Sequence, residues 1–89
     1  MKNLQLLIKG RVQGVGFRYA AKNLARALKL SGYVKNLPDD SVFIEVEGED
    51  DLVNEFTQWC HRGPERAVVK EVIVQEGALK NHSGFETRF

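Results

Sequence analysis

The sequence has a single cysteine, Cys60, which excludes an intramolecular disulfide framework and a cysteine-rich metal cluster. A reducing compartment is the simple expectation. It also lacks any apolar run near the roughly 20 residues that a membrane helix needs. The start, Met1-Lys2-Asn3 followed by Leu4-Gln5-Leu6-Leu7-Ile8, has neither the apolar length nor the small-residue cleavage site of a secretory signal. These absences predict a cytoplasmic protein with no membrane partner. An excess of either charge is missing as well, because 13 basic residues face 12 acidic ones for a net charge of +1. Surfaces that coat nucleic acid need clustered positive charge, so no nucleic-acid partner is expected. Near-neutrality does not exclude one local anion site. Repeats, linkers and low-complexity segments are absent too, and 89 residues with 43% apolar content suit one domain, residues 1–89, with a monomer as the default.

What is present has a clear order. Leu4 to Val12 carries a dense apolar set that suits a central strand. Gln13-Gly14-Val15-Gly16 breaks it, and from Phe17 the period becomes helical, with Phe17, Ala20, Ala21, Leu24 and Leu28 on one face. Lys22, Arg26 and Lys29 read as a solvated face, and Leu30-Ser31-Gly32 offers a glycine to end the helix. Tyr33 to Asn36 is a short strand, Leu37-Pro38-Asp39-Asp40-Ser41 a turn, and Val42 to Glu47 a returning strand. After Gly48 an acidic first turn, Glu49-Asp50-Asp51, opens a second amphipathic helix that ends near Gly63-Pro64. Ala67 to Gln75 is a strand with a break in alternation between Val69 and Val72. Ala78 to Gly84 reads as a polar loop, and Phe85 to Phe89 as a short extra C-terminal strand whose place in the sheet is not legible.

Strand, helix, strand, strand, helix, strand predicts an α+β, ferredoxin-like βαββαβ sandwich: one antiparallel sheet with two helices packed on one face. In that order the first two strands run parallel with the third between them. Val12 and Asn36 then leave the sheet at the same edge, roughly 10 Å apart across two strand spacings.

Glycines between a strand end and a helix start let successive N–H groups turn toward one point, and the helix adds its free donors and positive dipole end. Gln13 to Phe17 therefore reads as an anion cradle with Arg18 in the first helical turn, or else as a plain strand-to-helix turn with a surface arginine. It is not a P-loop, since the Lys-Ser/Thr pair is missing, nor a dinucleotide fingerprint, since Tyr19 stands where glycine is needed.

Gly10-Arg11-Val12-Gln13-Gly14-Val15-Gly16-Phe17-Arg18 resembles the signature of the acylphosphatase family, and Gly32-Tyr33-Val34-Lys35-Asn36 resembles its second block. The likeness continues through Val42–Gly48, Gly63-Pro64 and the closing Phe85 segment, and so covers essentially the whole chain. One departure is Asp40, where relatives commonly place glycine, which leaves the turn's conformation open. The resemblance implies a phosphate cradle at Gln13, Gly14, Val15, Gly16 and Phe17, a phosphate-binding arginine at Arg18 and a water-orienting amide at Asn36. It implies hydrolysis of an acyl phosphate to a carboxylate and inorganic phosphate, with no metal and no cofactor. The chemistry agrees, since a carboxylate of parent pKa around 4 departs without a general acid.

Two other functions fit the fold class. A non-catalytic ferredoxin-like binding module would stack bases on sheet aromatics, but only Phe43 and Tyr33 are on offer. A carbamoyl-phosphate-handling domain of a larger maturation protein would carry the same motifs. Cys60, beside Trp59 on an apolar helix face, reads as a buried structural thiol, His61 and His82 as surface histidines, and Asp39-Asp40 as turn formers. Arg11 either flanks the site or sits on the exposed sheet face.

Overall fold

In the computed structural model, which describes residues 1–89, the elements are β1 (Lys2–Arg11), α1 (Phe17–Ala27), β2 (Ser31–Asn36), β3 (Val42–Gly48), α2 (Asp50–Cys60), β4 (Val68–Gly77) and β5 (Phe85–Arg88). They build one sheet in the order β4-β1-β3-β2-β5. Alternation along β1 and β3 sends Leu4, Leu6, Ile8, Val42, Ile44 and Val46 to the face that the helices cover. Opposite them, α1 buries Phe17, Ala21 and Ala25, while α2 buries Val53, Phe56 and Cys60. The small alanines let α1 approach the sheet closely. β1 and β2 are parallel with β3 between them, as the element order requires. The break expected near Val69 is a bulge: Lys9 pairs with Glu71 and Gly10 with Val69, leaving Lys70 as the extra residue.

Three features differ from the sequence expectations. The sheet is mixed, because β5 pairs parallel with β2, Gly32 opposite Phe85. Phe85, buried against Phe56 at a ring separation of 6.0 Å, anchors that added strand. Secondly, α1 does not end at Gly32. Lys29 takes the left-handed conformation (φ 58°), the Leu30 amide donates to the Ala25 carbonyl at 2.8 Å, and the Lys29 amide donates to that of Arg26 at 3.1 Å. This is a Schellman stop with lysine where glycine is usual. Gly32 instead lies inside β2, where a Cβ would collide with the Glu45 carbonyl. Left-handed backbone costs a non-glycine residue about 1–2 kcal/mol, partly offset by the unfolded-state freedom that glycine adds. Lys29→Gly is therefore expected to raise stability by ~0.5–1 kcal/mol in urea denaturation. A loss of stability would show that the lysine side chain contributes more than its backbone strain. Asp40 also has positive φ (74°), and its neighbour Asp39 accepts hydrogen bonds from the Ser41 amide and hydroxyl, so the turn forms without glycine.

The third difference concerns the loop from Ala78 to Gly84. β4 and β5 occupy opposite edges of the sheet, so their connection crosses the face that the helices leave open. Glu45 and Glu47 point to that face and bind the crossing chain. The amides of Lys80 and His82 donate to Glu47 at 2.7 and 3.2 Å, while Lys80 Nζ and the His82 ring engage Glu45. Asn3 Nδ2 donates to both carboxylates, at 3.3 and 3.1 Å. His82 is thus a strap residue and not a surface histidine. Tyr33 is covered as well, by the Arg88 guanidinium 3.8 Å from its ring centre and the edge of His82, which takes one of the two sheet aromatics out of any base-stacking platform.

Burial acts to raise the carboxyl pKa of Glu45, but hydrogen bonds from His82, Lys80 and Asn3 outweigh it and hold the group below its ordinary value of 4.5. Glu47 is depressed in the same way, burial opposing the amides of Lys80 and His82 and the side chain of Asn3. A depressed folded pKa contributes stability that is complete above the unfolded value and is lost as pH falls through the folded one. Urea midpoints are therefore expected to drop below pH 4.5, and the double variant Glu45→Gln/Glu47→Gln to show a shallower acid dependence. Parallel acid profiles for both proteins would contradict this source of acid sensitivity.

Candidate active site

Val12, fully buried, ends the run out of β1, and Asn36 ends β2, so both strands deliver their carboxyl ends to one edge of the sheet. Between β1 and α1 the backbone alternates in sign: Gly14 and Gly16 have φ of 71° and 80°, while Val15 between them does not enter the positive region. Such alternation turns successive N–H groups to the same side, and only glycine adopts it without strain. The side chains of the loop anchor it from below. Val15 packs on the core, and the buried Phe17 ring lies 5.3 Å from Trp59 and against Gly63.

The Gln13 side chain fixes the loop from its other side. Its Nε2 donates to the carbonyls of Leu37 and Ser41, both at 2.8 Å, tying the loop to the β2–β3 turn. That clamp holds the glycine loop in register with the strand end that carries Asn36.

α1 starts with Gly16 as its cap, no side-chain cap and no acidic residue in its first turn. α2, by contrast, has Asp50 and Asp51 there. The first amides of α1 and its positive dipole end are accordingly free for an anion. Arg18, half-buried, leans over the same point. One nitrogen, Nη1, donates to the Arg88 carbonyl at 3.3 Å and the guanidinium lies 4.8 Å from the Phe89 ring centre, which leaves most of its donors unspent.

The resulting cleft has a volume of about 350 Å³, and Gly14, Gly16, Phe17, Arg18 and Asn36 converge on it. The side chains of Gln13 and Val15 turn away from it, Gln13 to the β2–β3 turn and Val15 to the core. Arg11 is exposed and lies outside it. Asn36 lines the cleft with its Oδ1 buried and without a hydrogen-bond donor. No His, Cys, Asp or Glu side chain lines the cleft. Cys60 is buried in α2, and burial pushes its thiol far up, so it is an inert packing group.

Five cleft residues lie outside the sequence-derived set: Val12, Tyr19, Lys22, Thr87 and Phe89. Lys22 is half-buried against the cleft and not on a fully solvated face; its spacing of four from Arg18 carried that signal. Thr87 and Phe89 reach the site only because β5 docks beside β2, a pairing that four residues near the terminus do not encode locally.

Comparison with known proteins gives a consistent set of relatives. The acylphosphatase family model matches residues 4–87. An acylphosphatase of Marinobacter nauticus is 52% identical over 83 residues, covering 92% of this chain and 90% of the relative. The crystal structure of acylphosphatase from Bacillus subtilis superposes with a TM-score of 0.97 at 34% identity, covering 100% of both chains. Full-length HypF, solved in a phosphate- and nucleotide-bound form, contains a similar unit, with a TM-score of 0.89 and 32% identity over 99% of this chain and 12% of that one.

Proposed function

This chain belongs to the acylphosphatase family and hydrolyses acyl phosphates to a carboxylate and inorganic phosphate, and we propose that it does so in the cleft between the glycine loop and Asn36. The amides of Gly14 to Phe17 and the forked donors of Arg18 hold the phosphoryl oxygens. The Asn36 amide holds a water beside the phosphorus, in line with the bond to the acyl oxygen. Water oxygen bonds to phosphorus, the P–O bond to the acyl group breaks, and its electron pair leaves on the carboxylate. The proton of the water passes to a phosphoryl oxygen.

The convergence of an uncapped helix start, Arg18 and Asn36 on one cleft carries this reading. A protein acid is not needed, because the leaving carboxylate is a weak base with parent pKa around 4. Phosphoryl transfer asks mainly for positioning and charge stabilisation, which donors aimed in advance supply. The reaction proceeds without metal or cofactor in one domain, residues 1–89, acting as a cytoplasmic monomer. Benzoyl phosphate hydrolysis with and without a chelator tests the chemistry. Equal rates are expected, and a rate that collapses on chelation and returns with a divalent ion would overturn the metal-free mechanism.

A further inference from the structure

We propose that Lys22 is a specificity-determining residue that favours acyl phosphates whose acyl part carries a negative charge of its own. The inference rests on the assignment of the phosphoryl group to the glycine loop and Arg18.

Lys22 follows Arg18 by four residues on α1, which places it about 6 Å further along the helix axis on the same face. Both cations line the cleft. Neither has a carboxylate oxygen within 4.0 Å. The only aromatic near the Lys22 ammonium is Tyr19, 5.7 Å away at the ring centre, close to the limit of a useful cation–π contact. Two like charges one turn apart repel, and no acidic side chain in the cleft offsets them. The free protein therefore holds a pair of cations without salt-bridge partners in a partly enclosed site, an arrangement that a phosphoryl group extended by a further negative charge relieves better than a phosphoryl group alone.

The cleft has room for such a molecule. At about 350 Å³ it falls within the roughly 300–1,000 Å³ of small-molecule sites and exceeds what a phosphoryl group fills. In-line displacement places the leaving group opposite the attacking water. With the water on the Asn36 side, the acyl group has the remaining wall, which includes Tyr19 and Lys22. The exposed rings of Tyr19 and Phe89 flank any acyl chain without regard to charge, whereas the ammonium distinguishes an anionic tail from a neutral one.

A matched pair of substrates tests this: benzoyl phosphate and para-carboxybenzoyl phosphate, which differ by one remote carboxylate. The readout is the ratio of their kcat/KM values. Lys22→Gln is expected to lower the ratio for the charged substrate about three- to five-fold, the scale of one partly screened ion pair. Lys22→Arg is expected to keep it, and salt to erode it in the wild type. A ratio that is the same in wild type and Lys22→Gln, with benzoyl phosphate still hydrolysed, would overturn the role of Lys22 and leave the site assignment standing. Failure of the wild type to hydrolyse benzoyl phosphate would instead overturn the assignment itself, and the inference with it.

Discussion

Replacing Arg18 with glutamine is expected to lower kcat/KM for benzoyl phosphate by roughly 10³-fold and to weaken inorganic phosphate as an inhibitor at the same time. The guanidinium contributes a charge and a fork of donors, of which only one is engaged by the Arg88 carbonyl. Glutamine keeps a donor but loses the charge and the planar fork. Loss of one aimed donor costs roughly 10²–10³ in typical anion-stabilising sites, and a charged pair of donors lies at the upper end. Activity does not fall to zero, because the loop amides and the α1 dipole remain. The fold is not at risk, since the side chain holds no buried ion pair and its one hydrogen bond is exposed. Arg18→Lys keeps charge without the fork and is expected to fall between the two. Unchanged phosphate affinity in Arg18→Gln would remove the arginine from the anion site.

Asn36→Ala is expected to act on turnover instead: kcat down roughly 10²-fold, with phosphate affinity within about three-fold of wild type. In the proposed arrangement the amide touches the attacking water and not the phosphoryl oxygens, so its removal is expected to leave ground-state binding intact. A water that is no longer held in line must find that geometry by chance, and a misplacement of about 1 Å already costs that order of rate. Asn36 ends β2, where its backbone pairs with Val42, so the truncation leaves the strand in place. Equal losses in kcat and in phosphate affinity would recast Asn36 as a phosphate ligand.

Much of this site is legible in the sequence because its parts are local. Gly14 and Gly16 around Val15 announce a backbone of alternating hand, and Phe17 and Arg18 follow at fixed places at the start of a helix. Asn36 joins them through topology, since two strands joined by a helical crossover must share an edge. What escapes is whatever depends on long-range pairing. β5 has four residues and no pattern that selects β2 as its neighbour, so Thr87 and Phe89 could not be placed at the cleft. Its crossing strap is equally hidden, because nothing local to Glu45 and Glu47 says that Lys80 and His82 cover them. Gly32 misleads for the opposite reason: a glycine near a helix end suggests a cap, yet backbone crowding at Glu45 is what demands it, and Lys29 makes the turn. The Gln13 side chain ties the loop to the β2–β3 turn, a long-range contact that its place in the motif does not announce.

Titration of inorganic phosphate followed by amide NMR reports whether the loop amides and Arg18 form the phosphate site. The backbone resonances of Gly14, Val15, Gly16, Phe17 and Arg18 are expected to shift together along one saturable curve, with the strap around Lys80 and His82 unmoved. Saturable binding that leaves those five amides in place and shifts others would put the phosphate somewhere else.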